Sequence, residues 1–189
     1  RAMKKTLNLK TPATFSEKLM KLKLDNYIDN PDVWQCADKL GVREYVAQKG
    51  VDKDSLSTVI GIYEDAFDID FDVLPNKFAL KCTHGAGFNI ICQDKSTLSK
   101  EETIEKLNGW LVTQFGLETA ETHYGKIPPR IICEAFIESD GDALPSDYKV
   151  YCFSGVPMYV MVCTERENKL SKVNIMDLGW KDTGYIKPQ

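Results

Sequence analysis

A glycine-rich loop between two apolar runs is the feature that most constrains the fold of this chain. The apolar runs are residues 77–81 and 89–92, and Gly85 and Gly87 lie between them. Glycine adopts backbone conformations that other residues avoid, so this segment can reverse direction tightly. In P-loops and dinucleotide folds the glycines lead into a helix, whereas here a second strand-like run begins at once. The pattern therefore predicts a β-hairpin with the glycines at its tip.

The motif alone leaves two interpretations of this loop open. Lys81 ends the first run, and a lysine beside glycines is typical of a phosphate site, because main-chain N–H groups and an ammonium group can then face one anion. The alternative is an ordinary hairpin with a lysine at the end of a strand. His84 lies in the same loop, and we expect it to supply hydrogen bonds rather than to act as a base.

The composition is that of a globular protein. The chain has 189 residues, of which 43% are hydrophobic and 28% are charged, and its formal net charge is −4. Mixed charges with a slight acidic excess argue against general nucleic-acid binding. We expect neither a membrane span nor a signal peptide, because no apolar run is long enough for the first and the opening residues are polar. These features predict a cytoplasmic protein.

The cysteines indicate the same compartment. No C-x-x-C pair occurs, and strand-like runs contain five of the six: Cys82, Cys92, Cys133, Cys152 and Cys163, with Cys36 outside them. We predict buried free thiols in a reducing environment. We predict no zinc site, because His84 and His123 do not have the spacing from cysteines that zinc ligands need.

Local patterns predict where the helices begin. Capping boxes at residues 14–17 and 99–102 mark two helix starts, and Pro31 after an asparagine marks a third. The helix after residue 99 is predicted to run to about Phe115. The alternation of acidic and apolar residues at 65–72 predicts a turn-rich connection that buries its apolar members: Phe67, Ile69 and Phe71.

Later strand-like runs carry further candidate residues. Glu134 is the one carboxylate in the apolar run 131–137, whose main-chain groups can meet the edge of an adenine ring. The alternative is a core strand with Glu134 pointing outward. Asp147 and Lys149 lie two residues apart and so on one face of the next strand, where a carboxylate can bind ribose hydroxyls. The alternative there is a solvated strand end.

Several segments, taken in order along the chain, resemble a known family. They are Asp38-Lys39 and residues 81–89, 129–134 and 147–155, and residues 7–18 and 74–81 fit the same pattern. Over nearly its whole length the chain is similar to ATP-grasp proteins of the TupA-like (teichuronopeptide-biosynthesis) type. These proteins are associated with the synthesis of bacterial cell-surface polysaccharides.

The resemblance implies a fold and its divisions. It implies an α+β, ATP-grasp-like fold in which a helical N-terminal segment precedes two small subdomains with antiparallel strands. The implied boundaries are residues 1–55 for the helical segment, 56–133 for the first subdomain, and 134–189 for the hinge and an incomplete second subdomain.

The resemblance also implies a role for each candidate residue. Lys39 and Lys81 would bind the phosphates of the nucleotide, and the backbone of Glu134 and Ile137 would meet its adenine. Asp147 would lie near the ribose. Five loop residues would lie over the phosphates: Thr83, His84, Gly85, Gly87 and Asn89. The implied catalytic residues are Lys149, which would face phosphate or acceptor, and Arg166 after the second hairpin.

The reaction implied by the resemblance is ligation. ATP, with Mg²⁺, would phosphorylate a carboxylate on a sugar or polymer, and an amine would then attack the acyl phosphate. Peripheral association with membrane-bound polysaccharide machinery is compatible with this role. Two alternatives stay open: a nucleotide-binding but degenerate assembly domain, and a glycosyl- or phosphotransferase of the same pathway.

The magnesium ligands of the resemblance have no counterpart in this sequence. ATP-grasp enzymes carry them late, as an acidic residue on one strand and a Glu-x-Asn-like pair on the next, which would fall beyond Gln189. Nothing in residues 164–189 offers that pattern, and Asp177 and Asp182 are single carboxylates in a predicted loop. We therefore expect either a chain cut before its metal site or a protein without one, and we assign no metal ligand.

Overall fold

The structure is a computed structural model that describes residues 6–139, 144–165 and 171–185. The chain divides into two compact units, Arg1–Phe136 and Ile137–Gln189. The described residues form four α-helices and seven strands, and their strands pair antiparallel. The predicted α+β class is therefore confirmed.

Three short helices open the first unit, and their caps lie where the sequence predicted them. The helices are α1 (Phe15–Leu22), α2 (Pro31–Ala37) and α3 (Gly41–Gln48). Thr14 accepts a hydrogen bond from the Glu17 N–H, and the Glu17 carboxylate accepts one from the Thr14 N–H, which forms the predicted capping box. Asn30 caps α2. No helix within the described ranges is long and apolar enough to cross a membrane.

A four-stranded sheet forms the centre of the first unit. Its strands are β1 (Val59–Tyr63), β2 (Phe78–Cys82), β3 (Asn89–Cys92) and β4 (Ile131–Ala135), and their spatial order is β1-β4-β2-β3. Strands β2 and β3 form the predicted hairpin, so the glycine-rich loop joins them at one end of the sheet. Strand β4 is an inner strand between β1 and β2.

This sheet has one apolar face and one face with charged residues, because side chains alternate along each strand. The apolar face packs against helix α4 (Lys100–Leu111), which Ser99 caps as predicted. The fully buried side chains of this apolar face are Phe78, Leu80, Cys82, Ile131 and Cys133, and Leu107 of helix α4 is fully buried against them. Lys81 and Glu134 lie at the intervening positions and so belong to the opposite face.

The second unit is a three-stranded sheet. Its strands are β5 (Asp147–Phe153), β6 (Val156–Thr164) and β7 (Lys172–Asp177), in the order β5-β6-β7. Ser154 and Gly155 both have positive φ angles, 52° and 81°. Two consecutive residues of this kind are typical of the tight turn that joins antiparallel strands. The second predicted hairpin is therefore confirmed.

One prediction for the acidic connection is wrong. Ile69 and Phe71 are buried as predicted, but Phe67 is 75% exposed. Phe67 lies in a turn of 3-10 helix (Ala66–Asp68) and not in extended chain. Alternate residues of such a turn do not share one face, so the pattern of period two did not apply.

Helix α4 is shorter than predicted, because it ends at Leu111 and does not reach Phe115. The ring of Phe115 packs instead edge-on against Phe88 and Tyr124, at centroid distances of 5.4 Å and 4.8 Å. Tertiary packing of this ring thus overrides the local preference for helix.

The prediction of buried thiols holds for only part of the set. All six cysteines are free, and three of them, Cys82, Cys92 and Cys133, are buried in the first sheet. Cys36 and Cys152 are exposed, and Cys163 is half-buried. The exposed Cys152 lies on β5 of the second sheet, and the second unit has no described helix of its own.

Candidate functional site

An ion pair between neighbouring strands lies at the centre of the charged face. Lys81 of β2 is opposite Ile132 of β4, so Glu134 is its diagonal neighbour on the same face. The Lys81 Nζ lies 2.5 Å from Glu134 Oε2. Asn89 of β3 lies opposite Lys81 on its other side and is exposed. The register of the sheet thus brings Glu134, selected from one segment of the sequence, to Lys81 and Asn89, selected from another.

Glu134 is a buried carboxylate with three donors. It is 6% exposed, and besides Lys81 it accepts hydrogen bonds from Ser57 Oγ at 2.7 Å and Arg43 Nη1 at 3.1 Å. Burial by itself raises the pKa of Glu134, but the hydrogen bonds from Lys81 and Ser57 and the charges of Lys81 and Arg43 outweigh burial and lower it. Glu134 is therefore ionised at neutral pH.

The main chain of Glu134 lies within the sheet. Glu134 is opposite Val59 on one side and Ala79 on the other, and the next residue, Ala135, donates its N–H to Thr58 O at 2.8 Å. Strand β4 ends at Ala135, before the predicted end at residue 137. Any main-chain recognition of a ring edge by this segment would have to come from residues after Ala135.

Lys39 braces the start of the glycine-rich loop. Its Nζ donates to the carbonyl oxygen of Cys82 at 2.8 Å and to that of Gly85. Burial lowers the pKa of Lys39, and the nearby charge of Lys81 lowers it further. The two lysines that the sequence analysis paired are therefore close enough to repel each other in a partly dry environment.

The two glycines of the loop are needed for different reasons. Gly87 has a φ of 78°, a conformation that favours glycine. Gly85 leaves no room for a side chain, because a Cβ there would lie 2.7 Å from a ring carbon of Phe88. Within the described residues, the main-chain N–H groups of Ala86 and Gly87 donate to no acceptor. Such N–H groups are available to an anion.

A second ion pair lies beside the same loop. The Asp38 carboxylate, 6% exposed, accepts a hydrogen bond from Leu40 N–H at 2.9 Å and lies 3.6 Å from Arg130 Nη2. Arg130 and Thr83 are joined through their main chains, and Thr83 Oγ1 also accepts from Arg130 N–H at 3.0 Å. Thr83 thus anchors the first residue of the loop to the chain that enters β4.

His84 supplies a hydrogen bond, as the sequence analysis expected. Its ring is 4% exposed, and Nε2 lies 3.1 Å from the carbonyl oxygen of Trp110. Because a carbonyl oxygen only accepts, Nε2 is the donor. Burial lowers the pKa of His84, although its hydrogen bond to Trp110 acts in the opposite direction. A neutral imidazole therefore ties the loop to the end of helix α4.

The remaining predicted residues lie in the second unit or outside the described ranges. Asp147 and Lys149 share one face of β5 and form an ion pair with each other. Ile137 directly follows the boundary between the units and is 55% exposed. Arg166 lies outside the described residues.

The sequence analysis missed Arg43, Ser57 and the side chain of Arg130. Arg43 is an ordinary polar position of helix α3 by its local pattern, and only the tertiary fold brings its side chain to Glu134. Residues 129–134 did carry part of the resemblance, so a basic residue next to this strand was the available signal for Arg130.

We refer to six of these residues as the charged cluster: Asp38, Lys39, Arg43, Lys81, Arg130 and Glu134. Four are cationic and two are carboxylates, so the cluster has an excess of positive charge. Its geometry suits a polyanion better than it suits a metal ion. Consistent with this, the part of the chain that the structure describes contains no group of three or more His, Cys, Asp or Glu side chains that could hold a metal.

The family of the chain follows from its sequence profile. The profile of the TupA-like ATPgrasp family matches residues 17–188. The chain belongs to this family. Its α+β architecture, with two antiparallel sheets, is consistent with part of an ATP-grasp fold. The chain matches no curated protein and no solved structure.

Proposed function

We propose that this ATP-grasp domain binds ATP and holds its phosphates at the charged cluster and the glycine-rich loop. The observation that carries the proposal is the excess of cations in the cluster beside two loop N–H groups, those of Ala86 and Gly87, that make no hydrogen bond within the described residues. Phosphates bound to proteins accept hydrogen bonds from ammonium groups, guanidinium groups and free main-chain N–H groups.

The electrostatics of Lys39 support this proposal. Burial is the main cause that lowers the pKa of Lys39, and the charge of Lys81 adds to it, whereas Asp38 and Glu134 raise it. A phosphate beside Lys39 would place a further negative charge next to this half-buried ammonium group. That attraction would contribute to the binding energy.

Family membership supports a proposal for the adenosine part of the ligand. We propose that main-chain groups after Ala135, including those of Ile137, meet the adenine ring, and that Asp147 binds the ribose. Lys149 is proposed to face phosphate or acceptor, and Arg166 is proposed as a second catalytic residue. For Glu134 we propose a different role from the one predicted from sequence, because its side chain holds Lys81 and its main chain is paired within the sheet.

We further propose that the reaction is ATP-dependent ligation of a carboxylate to an amine, in the synthesis of a bacterial cell-surface polysaccharide. Family membership supports this assignment. Lys39 and Lys81 would neutralise phosphate charge, and the loop would keep water from a reactive acyl phosphate. Magnesium would normally assist such chemistry, but the described residues do not fit a metal site, so no step is assigned to it.

Thermal unfolding with and without ATP tests the binding proposal. A ligand at about a hundredfold excess over its Kd stabilises a protein by about 2.7 kcal/mol. We expect this stabilisation in the wild type and in Lys53→Ala, which removes an exposed lysine outside the cluster. Lys81→Ala should lose most of it. Equal stabilisation of the two variants would remove the basis for the proposed phosphate site.

Phosphate release distinguishes ligation from binding alone. A ligase is expected to release inorganic phosphate from ATP only when both a carboxylate substrate and an amine are present. Binding of ATP without release in the presence of uronic acids and amino acids would favour the alternative of a non-catalytic assembly domain.

A further inference from the structure

Arg43 connects the N-terminal helices to the centre of the proposed phosphate site. Its Nη1 donates to Glu134 Oε1 at 3.1 Å, and its Nη2 donates to the carbonyl oxygen of Ser57. The side chain of Arg43 is 20% exposed. Since neither contact is to the glycine-rich loop, Arg43 would have to influence a ligand through another residue.

The donors of Glu134 are divided between its two oxygens. Oε1 accepts from Arg43 and from Ser57, whereas Oε2 accepts from Lys81 at 2.5 Å. If Lys81 moved away, Oε1 would keep one cation and one hydroxyl group. The buried carboxylate would therefore stay paired with a positive charge.

We propose that Arg43 is a positioning residue that allows Lys81 to exchange its partner, from Glu134 in the free protein to a phosphate of the bound nucleotide. The proposal rests on the assignment of ATP to the charged cluster. Arg43 and Ser57 hold Glu134 in both states, and Lys81 is the member of the cluster that moves.

The physical reason is the behaviour of buried charges. A carboxylate as buried as Glu134 is strongly unfavourable without a counter-charge. In the absence of Arg43, Lys81 would be its sole cationic partner and would be held there, so a phosphate would have to compete for it. With Arg43 present, Lys81 is the second cation on a carboxylate that needs only one.

A double-mutant cycle with Arg43→Gln and Glu134→Gln tests this proposal, with the Kd for ATP as the readout. We expect Arg43→Gln to raise the Kd about tenfold or more. Glu134→Gln removes the group that competes for Lys81, so it should bind ATP more tightly than the wild type. The double variant should match Glu134→Gln, because Arg43 has no carboxylate left to hold.

Arg43→Lys provides the conservative control. It keeps the positive charge next to Glu134, so it should recover most of the affinity that Arg43→Gln loses. A purely structural role for Arg43 predicts the opposite pattern in the cycle, since removal of Glu134 would then not restore binding.

The outcomes separate this inference from the assignment of the site. If the wild type does not bind ATP, or Lys81→Ala binds it equally well, the site assignment fails. If Lys81→Ala is impaired but Arg43→Gln binds like the wild type, the positioning role is overturned. If Arg43→Gln does not fold, the Kd for ATP of the double variant can still be compared with that of Glu134→Gln. A difference of about tenfold or more between these two Kd values would overturn the positioning role of Arg43.

Discussion

Replacing Gly85 with alanine is the most direct test of how the loop is packed. The added Cβ would lie 2.7 and 2.8 Å from two ring carbons of Phe88 and 3.1 Å from Cγ of Phe115. Carbon atoms in contact are normally about 3.5–4.0 Å apart, so the Phe88 ring would have to move by about 1 Å. That ring is stacked on Trp110 at a centroid distance of 5.3 Å, so the shift cannot stay local.

We therefore expect Gly85→Ala to lower the free energy of unfolding by about 1–3 kcal/mol, as overpacking of a core does. Urea denaturation measures this change. Gly125→Ala is the matched control, because no atom lies within 4 Å of its added Cβ and its φ is not positive. Its effect should stay within about 0.5 kcal/mol. If the two variants have the same stability, the reasoning about the aromatic packing of the loop is refuted.

Three further predictions concern other parts of the first unit. Lys39→Met removes the donor to the carbonyl groups of Cys82 and Gly85. Amide hydrogen exchange should therefore become faster in the glycine-rich loop but not in the strands. Unchanged exchange in the loop would contradict the bracing role of Lys39. Hydrogen bonds from main-chain N–H groups, chiefly that of Thr14, lower the pKa of Glu17 to about 2. Between about pH 5 and pH 2 the unfolded chain therefore binds more protons than the folded chain, so the free energy of unfolding should fall as the pH drops through this range. Glu17→Gln should flatten this pH dependence in urea titrations, and an unchanged slope would count against it. Gly109→Ala, at an exposed position within helix α4 with open space around it, should raise the free energy of unfolding by about 0.5–1 kcal/mol in the same assay, and a loss of stability would show that the glycine has a packing role.

Elements that depend on local contacts could be predicted from the sequence. The helix starts at Thr14 and Ser99 follow from hydrogen bonds between residues three apart, and the hairpin follows from glycines between two strand-like runs. The end of α4 could not be predicted in this way. It depends on where the ring of Phe115 packs, and its partners Phe88 and Tyr124 come from distant parts of the chain.

The candidate site was predictable in its residue types but not in its contacts. Lys81 and Glu134 were selected from motifs and Lys39 from the family resemblance. The pairing of Lys81 with Glu134, however, depends on a strand register that no local pattern encodes. Arg43 was missed for the same reason, because its contact with Glu134 joins residues that are 91 positions apart in the sequence. Sequence thus indicated a phosphate site, and the structure adds the charge balance within it.

The central claim is that the charged cluster binds the phosphates of a nucleotide, and the affinities of adenosine, AMP, ADP and ATP test it most directly. If the cluster holds the phosphates, isothermal titration calorimetry should give affinities that rise in that order. The affinity for ATP should also weaken as salt is added, because the interaction is between charges. Adenosine that binds as tightly as ATP, with no dependence on salt, would contradict the account.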